Sequence, residues 1–271
     1  MAGPVLIFGW FGLPELGIAG AAWAYVISRV SSVALYAVLL AKAKLMTWQL
    51  KGIGQSWVAI MHVGAPAIAS GLVMPISMLV ITRLLANHGH EVVAAYNVAS
   101  RVETIAHMIL WSCSSSAEPF IGQNWGARQY DRVRRALFLC HSFCLAWGVI
   151  TFFFMVAFGT SLVSLIDDNQ QVVATAETFF LLIPLSIGFM GMMQVANSSF
   201  NARGLPRPAL VISLLRGVIL GIPLAILGDM FWGYTGVFAA TAITNVLLGM
   251  LAWQWNRRSV ERQAAMGIVS G

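Results

Sequence analysis

The chain has 271 residues, of which 59% are hydrophobic and only 10% charged, and its mean hydropathy is +0.79. A soluble domain carries about 25% charged residues, so this composition places the chain in a bilayer. The net charge of +6 does not point to nucleic acid, because the basic residues fall in small groups between apolar runs, not along one stripe.

A hydrocarbon core about 30 Å thick is crossed by roughly 20 helical residues, and on that measure seven spans are predicted. Residues 1 to 13, with Pro4, Gly9 and Gly12, are apolar but too short to span, and read as the end of a preceding helix and an outer loop. No Lys or Arg precedes Arg29, so a secretory signal peptide is not expected. The first span covers 16 to 41, interrupted only by Arg29. After it, AKLMTWQLKGIGQSW (43 to 57) sets Leu45, Met46, Trp48 and Leu50 among lysines, as an interfacial amphipathic linker does. Uncharged runs at 52 to 82, 136 to 166, 178 to 202 and 230 to 256 give four spans. Runs at 92 to 122, interrupted by Arg101, Glu103 and Glu118, and at 208 to 228, interrupted by Arg216, give the other two. Pro66 and Pro75, with Gly64 and Gly71, are expected to bend or break the second span, and Pro184 to kink the fifth. Cys113, Cys140 and Cys144 lie inside apolar runs, the last two at a helical repeat and not as a CxxC pair, and read as packing residues.

Lys42, Lys44 and Lys51 follow the first span, Arg128, Arg132, Arg134 and Arg135 the third, Arg203 and Arg207 the fifth, and Arg257, Arg258 and Arg262 the seventh. The alternate loops, NHGHE (87 to 91), IDDNQ (166 to 170) and GDMFWG (228 to 233), are acidic or neutral apart from nearby Arg83. By the positive-inside rule the first set is cytoplasmic, and so is the C-terminus.

The chain also echoes itself. PVLIFGWFGLPELGIAGA (4 to 21) and PLAILGDMFWGYTGVFAA (223 to 240) align without gaps, matching Pro4 with Pro223, Ile7 with Ile226, Gly9 with Gly228, Gly17 with Gly236 and Ala21 with Ala240. Two Gly/Ala-rich membrane segments can match by chance. Taken as a duplication, the offset equals about six helices, and the first span becomes the last helix of one half. The expected architecture is then an all-α polytopic membrane helix bundle. Its parts are the end of an earlier helix (1–13), the last N-lobe helix (14–42), a cytoplasmic inter-lobe linker (43–56), a complete six-helix C-lobe (57–256) and a cytoplasmic tail (257–271).

Four stretches carry a family likeness: LGIAGAAWAYVISR (16 to 29), SRVETIAHMIL (100 to 110), IGQNWGARQYDRVRRAL (121 to 137) and NARGLPRP (201 to 208). In these the chain resembles the multidrug and toxic compound extrusion (MATE) transporters, most closely the bacterial members, as the C-terminal portion of a longer protein. The resemblance implies a two-lobed, twelve-helix antiporter in the bacterial inner membrane. It would export drugs and organic cations by alternating access, driven by H⁺ or Na⁺, with a missing N-terminal lobe as its other half; this chain alone is then not expected to transport. One departure matters. Where some similar members carry a Glu after a Gly-x-Pro like Gly64-Ala65-Pro66, and an Asp in the fourth helix of the second lobe, this chain has Met74 and Met192 or Met193.

Candidate chemistry centres on the third span. Arg101 and Glu103 lie roughly 15 to 18 Å from its outer end, at 1.5 Å per residue, where charges face a cavity or a partner. Helical periodicity puts Asn97, Arg101 and Thr104 on one face and Glu103, His107 and Trp111 on another. Glu103 and His107 are candidates for a proton relay, with an interhelical clamp as the alternative. In the fifth span Gln194, Asn197, Ser198 and Asn201 form a polar stripe that faces either a water-filled path or neighbouring helices. Arg29, Glu177 and Arg216 read as near-interface or paired residues, and Glu118 as a cap or gate at the cytoplasmic end. Thirteen Met and fifteen Phe suit a greasy drug pocket or a lipid-facing surface. No cofactor, metal set or catalytic motif is expected. Rival readings are a lipid or polysaccharide-precursor flippase of related architecture and a seven-helix receptor; a retinal protein is excluded because no Lys follows Lys51. A prenyl- or glycosyl-transferring enzyme would need clustered acidic residues at the cytoplasmic face, which Asp131 alone does not supply.

Overall fold

The computed structural model describes residues 5–7, 9, 16–44 and 52–269. Most of segment 1–13 and most of the amphipathic linker therefore lie outside the described residues. The chain divides into two compact units, residues 1–57 and 58–271. Among the described residues from 16 onward, the α-helices are α1 (Gly17–Lys42), α2 (Ile53–Ala86), α3 (His90–Gly126), α4 (Tyr130–Ser164), α5 (Gln170–Leu182), α6 (Ile187–Ala202), α7 (Pro206–Leu214) and α8 (Gly221–Val269). No strand occurs among the described residues.

Each predicted span coincides with helix, and the differences have local causes. The fifth span is two helices, α5 and α6, joined by a 3-10 turn at Pro184–Ser186, because proline removes an N–H and crowds the preceding turn. α2, by contrast, runs unbroken through Pro66 and Pro75. The sixth and seventh spans are one run broken twice, by a π-helical segment at Leu215–Ile219 and at Gly233, whose φ of 59° and ψ of −147° suit glycine. The segment read as a cytoplasmic tail is helix to Val269. Val260 and Ala264 are buried there, while Arg257 and Glu261 pair at 3.0 Å one turn apart on the outside. Among the described residues, four stretches are long and apolar enough to cross a membrane: Gly17–Lys42, Tyr130–Ser164, Gln170–Ala202 and Pro206–Ala265.

Helix ends at the arginine-bearing loops share one device. At the end of α3 the left-handed residue is Arg128 (φ 56°), not Gly126, and Gln129 N donates back to Asn124 O at 2.8 Å. At the end of α6 Gly204 (φ 72°) takes that role, and Leu205 N donates to Phe200 O at 2.8 Å. Both satisfy carbonyls that a helix end would leave orphaned.

Within 58–271 a core of Leu85, Leu110, Ile121, Phe179, Phe180, Ile187 and Phe238 is almost fully buried. Lipid is as apolar as leucine, so close backbone approach, and not hydrophobic drive, must hold the helices together. α4 and α6 meet at Gly148 and Gly188, where a Cβ on Gly148 would lie 2.6 Å from Gly188 Cα. Gly191 one turn on leaves room for Leu110 and Cys144. Trp147 Nε1 donates to Ala106 O at 3.1 Å, tying α4 to α3. At the arginine-bearing end, Arg203 donates to Ser199 O, Ser259 Oγ, Gln263 Oε1 and Asn256 Oδ1, and stacks over Trp125 and Phe200. Burial lowers this guanidinium to about 10, which leaves it charged at neutral pH.

Gly188→Val is expected to separate α4 from α6 and to lower the thermal midpoint of the detergent-solubilised chain, overpacking costing about 1–3 kcal/mol. Arg203→Ala removes bonds worth roughly 2–3 kcal/mol and should lower that midpoint by about 5 °C or more. Differential scanning fluorimetry checks both.

Candidate functional site

Glu103 sits on the inner face of α3 and opens onto a cavity of about 220 Å³. α3 supplies Tyr96, Ser100, Thr104, His107 and Trp111 to the same cavity, α2 supplies Met74, Ser77 and Met78, and α8 supplies Phe238, Thr241 and Asn245. Phe179, Ile183 and Met190 close it from the α5–α6 side.

The remaining wall is a π-helical segment, Leu215–Ile219, between α7 and α8. Leu220 N donates to Leu215 O at 2.9 Å, the i to i−5 bond of a widened turn. Such bulges cluster at functional sites. Gly217 lets the segment press on α2: a Cβ there would come 2.1 Å from Val73 Cγ1 and 2.5 Å from Ser77 Oγ. Arg216, carried by this segment, lines the cavity.

Arg216 is held by neutral groups. Its Nε donates to Asn245 Oδ1 at 3.0 Å, and its Nη2 lies 3.6 Å from Met190 Sδ. Asn245 in turn donates to Ser186 Oγ at 3.1 Å, and Ser186 donates to Ile183 O at 2.8 Å, so the guanidinium is braced by a chain that ends at the Pro184 turn. Glu103 and Arg216 face one cavity with opposite charges, yet among the described residues they form no direct ion pair. The imidazole of His107 lies between backbone and sulfur: Nδ1 is 3.2 Å from Glu103 O and 3.7 Å from Glu103 Oε1, while Nε2 is 2.9 Å from Met190 Sδ. Both ring nitrogens thus meet acceptors, but a neutral ring has one N–H to give. Protonation of His107 supplies the second.

The structure brings together only part of the candidate set. Glu103 and His107 line the cavity, with Trp111 beside them. Asn97 and Arg101 are exposed on the surface of the described unit, away from it. Thr104 falls on the cavity side with Glu103, contrary to the predicted division of faces, because consecutive helical positions differ by only about 100°. The stripe on α6 does not reach the cavity. Ser198 bonds Ser114 at 2.9 Å, Asn201 is exposed, and Gln194 Oε1 and Asn197 Oδ1 are buried without a partner. Met74 lines the cavity, whereas Met192 and Met193 are packed in the core and Met190 takes the place beside His107 and Arg216. Arg216 and Asn245 are the residues that sequence reasoning undervalued. A lone Arg inside an apolar run was their signal, since a charge at that depth needs a partner.

A model of the MatE family matches residues 66–227, which is more than half of the chain and spans all but the α8 side of this cavity. Among solved structures, the chain is similar to the Vibrio cholerae MATE transporter VcmN in its bent form, at 29% identity and a TM-score of 0.85, over 98% of this chain and 60% of that one. It is 32% identical to an FAD transporter of Shewanella oneidensis, over 95% of this chain and 58% of the relative. It is 27% identical to the multidrug export protein MepA of Staphylococcus aureus, over 92% of this chain and 55% of the relative. The chain therefore spans less than two thirds of the length of these relatives. A family match across its central helices and a shared helical membrane fold agree with the sequence motifs: this multi-pass membrane protein belongs to the MATE family of transporters.

Proposed function

We propose that the chain serves in export of organic cations or drugs by antiport, with the Glu103 cavity as the place where cargo and coupling ion compete. The observation that carries this reading is the charge arrangement: one carboxylate and one guanidinium share a mostly apolar, aromatic-lined cavity without neutralising each other directly. With Glu103 ionised, a lipophilic cation finds a counter-charge beside Tyr96, Trp111, Phe179 and Phe238. With Glu103 protonated, Arg216 is left as the formal charge and a cation is disfavoured. Proton and cargo then stabilise different states of one site, which is the linkage that antiport requires. In this reading His107 passes the proton along α3, and the polar groups sharing the cavity with it include Tyr96, Ser100 and Thr104 on its own helix and Ser77, Arg216, Thr241, Thr244 and Asn245 on the others. The clustering of arginine-bearing loops at one end supports a topology with the C-terminus in the cytoplasm of a bacterial inner membrane.

A second reading rests on Arg216 itself. Its guanidinium has N–H groups left over after Asn245 and Met190, and the Shewanella relative is named as an FAD transporter. An aromatic cargo with an anionic group would place that group on Arg216 and its ring among the cavity aromatics.

Binding of tetraphenylphosphonium to the purified chain, read from tryptophan fluorescence at pH 6 and pH 8, tests the first reading. Affinity is expected to rise with pH. Glu103→Gln should lower it about tenfold, or ~1.4 kcal/mol, and abolish the pH dependence; an unchanged pH dependence in Glu103→Gln sinks the proposal. In the same assay, FAD binding that disappears in Arg216→Gln while tetraphenylphosphonium binding survives would select the second reading.

A further inference from the structure

A second cavity, of about 380 Å³, lies at the arginine-bearing end between α4 and α8, apart from the Glu103 site. Arg134 and Arg257 stand on its rim with side chains 46% and 64% exposed. Phe138 and Trp253 form its outer wall, and Asn256 lies on the inner side. Phe138 is 70% exposed, so the wall opens sideways and not only toward the loops. From Arg134 to His141, the deepest α4 residue of the cavity, is seven residues, or about 10 Å along the helix. The result is a rim of two arginines, with Glu261 also among the lining, above an apolar wall on the flank of two membrane helices. A soluble anion has no use for that wall.

The charge is in surplus around the rim. Segments 126–137 and 256–263 together hold seven arginines against Asp131 and Glu261. Arg134 Nη1 donates to Asp131 and Arg257 Nε to Glu261, each at 3.0 Å and each one turn away on its own helix. Exposed pairs of this kind are worth only a few tenths of a kcal/mol. The other N–H groups of both guanidiniums have no hydrogen-bond partner among the described residues. Asn256 adds a buried Nδ2 that likewise lacks an acceptor, its Oδ1 being taken by Arg203 and Ser199. Arg257 also lies 5.8 Å from the Trp253 ring, which sets its charge directly over the apolar wall.

We propose that this cavity holds one anionic phospholipid, its phosphate between Arg134 and Arg257 and its glycerol and first acyl carbons along Phe138 and Trp253. Paired guanidiniums suit a phosphate diester, basic pockets between membrane helices suit anionic headgroups, and an interfacial tryptophan marks the level where headgroup meets chain. The site would let the protein sense the acidic lipid of the leaflet that its arginine-bearing loops face.

Native mass spectrometry of the 271-residue chain in detergent, with phosphatidylglycerol or phosphatidylcholine added, tests this. One phosphatidylglycerol should remain bound where phosphatidylcholine does not, and phosphatidylglycerol alone should raise the thermal midpoint. The double variant Arg134→Gln, Arg257→Gln should weaken phosphatidylglycerol binding at least tenfold, and Phe138→Asp should do the same without touching either arginine. Equal retention of the two lipids by the unmodified chain overturns the proposal, whatever the variants do. So does undiminished binding in a folded double variant, or displacement of the lipid by millimolar inorganic phosphate, which would mark a site for soluble anions.

Discussion

Hydrocarbon offers no hydrogen bonds and almost no hydrophobic reward, and every feature of this chain answers to that. Backbone groups must be satisfied inside each helix, so the chain is helical nearly throughout, and irregular backbone occurs where something compensates it. The Pro184 turn is braced through Ser186 and Asn245, and the widened turn at Leu215–Ile219 keeps its own i to i−5 bond. With no solvent to push helices together, contact must come from shape. Gly148 against Gly188, Gly191 under Leu110 and Cys144, and Gly217 against Val73 and Ser77 bring helices closer than side chains would permit. The Glu103 cavity is the space left where that close fit gives way to large aromatics.

That cavity balances its charges at a distance. Arg216 is held by Asn245 and Met190, while among the described residues the Glu103 carboxylate has only His107 near it at 3.7 Å, which leaves it open to a visitor. A direct ion pair would have been the cheaper arrangement for a static bundle, because buried charges that touch cancel much of each other's cost. Keeping them apart leaves the field in the cavity dependent on whether a proton is present. Met190 matters here as a soft hinge point: its sulfur contacts both His107 and Arg216, linking the two sides without committing a charge.

Much of this was legible in the sequence, and the failures are instructive. Span positions followed from uncharged runs, and Pro184 marked its break, whereas Pro66 and Pro75 lie within unbroken α2, so a proline alone does not fix a break. Glu103 and His107 were legible as a pair one turn apart on a helix. Asn97 and Arg101 were read onto a face separate from Glu103 and His107, and both are exposed and outside the lining of the cavity. Arg216 was harder to value: a π turn shifts the phase of every residue after it, so no α-helical wheel places the side chain. Asn245, its partner, is 29 residues further on. The Gln194–Asn201 stripe was a correct periodic pattern, but its residues do not line the Glu103 cavity.

The widened turn at Leu215–Ile219 also has a meaning in terms of chain length. It spends one residue more than a plain α-helix would need between the same two ends. Each residue of an α-helix turns its successors by about 100° and advances them 1.5 Å. The segment therefore holds a surplus of one step at the entry to α8, upstream of the Gly233 interruption. Arg216 rides on that surplus, so the position of the cavity's positive charge is a matter of helical register as much as of side-chain rotamer.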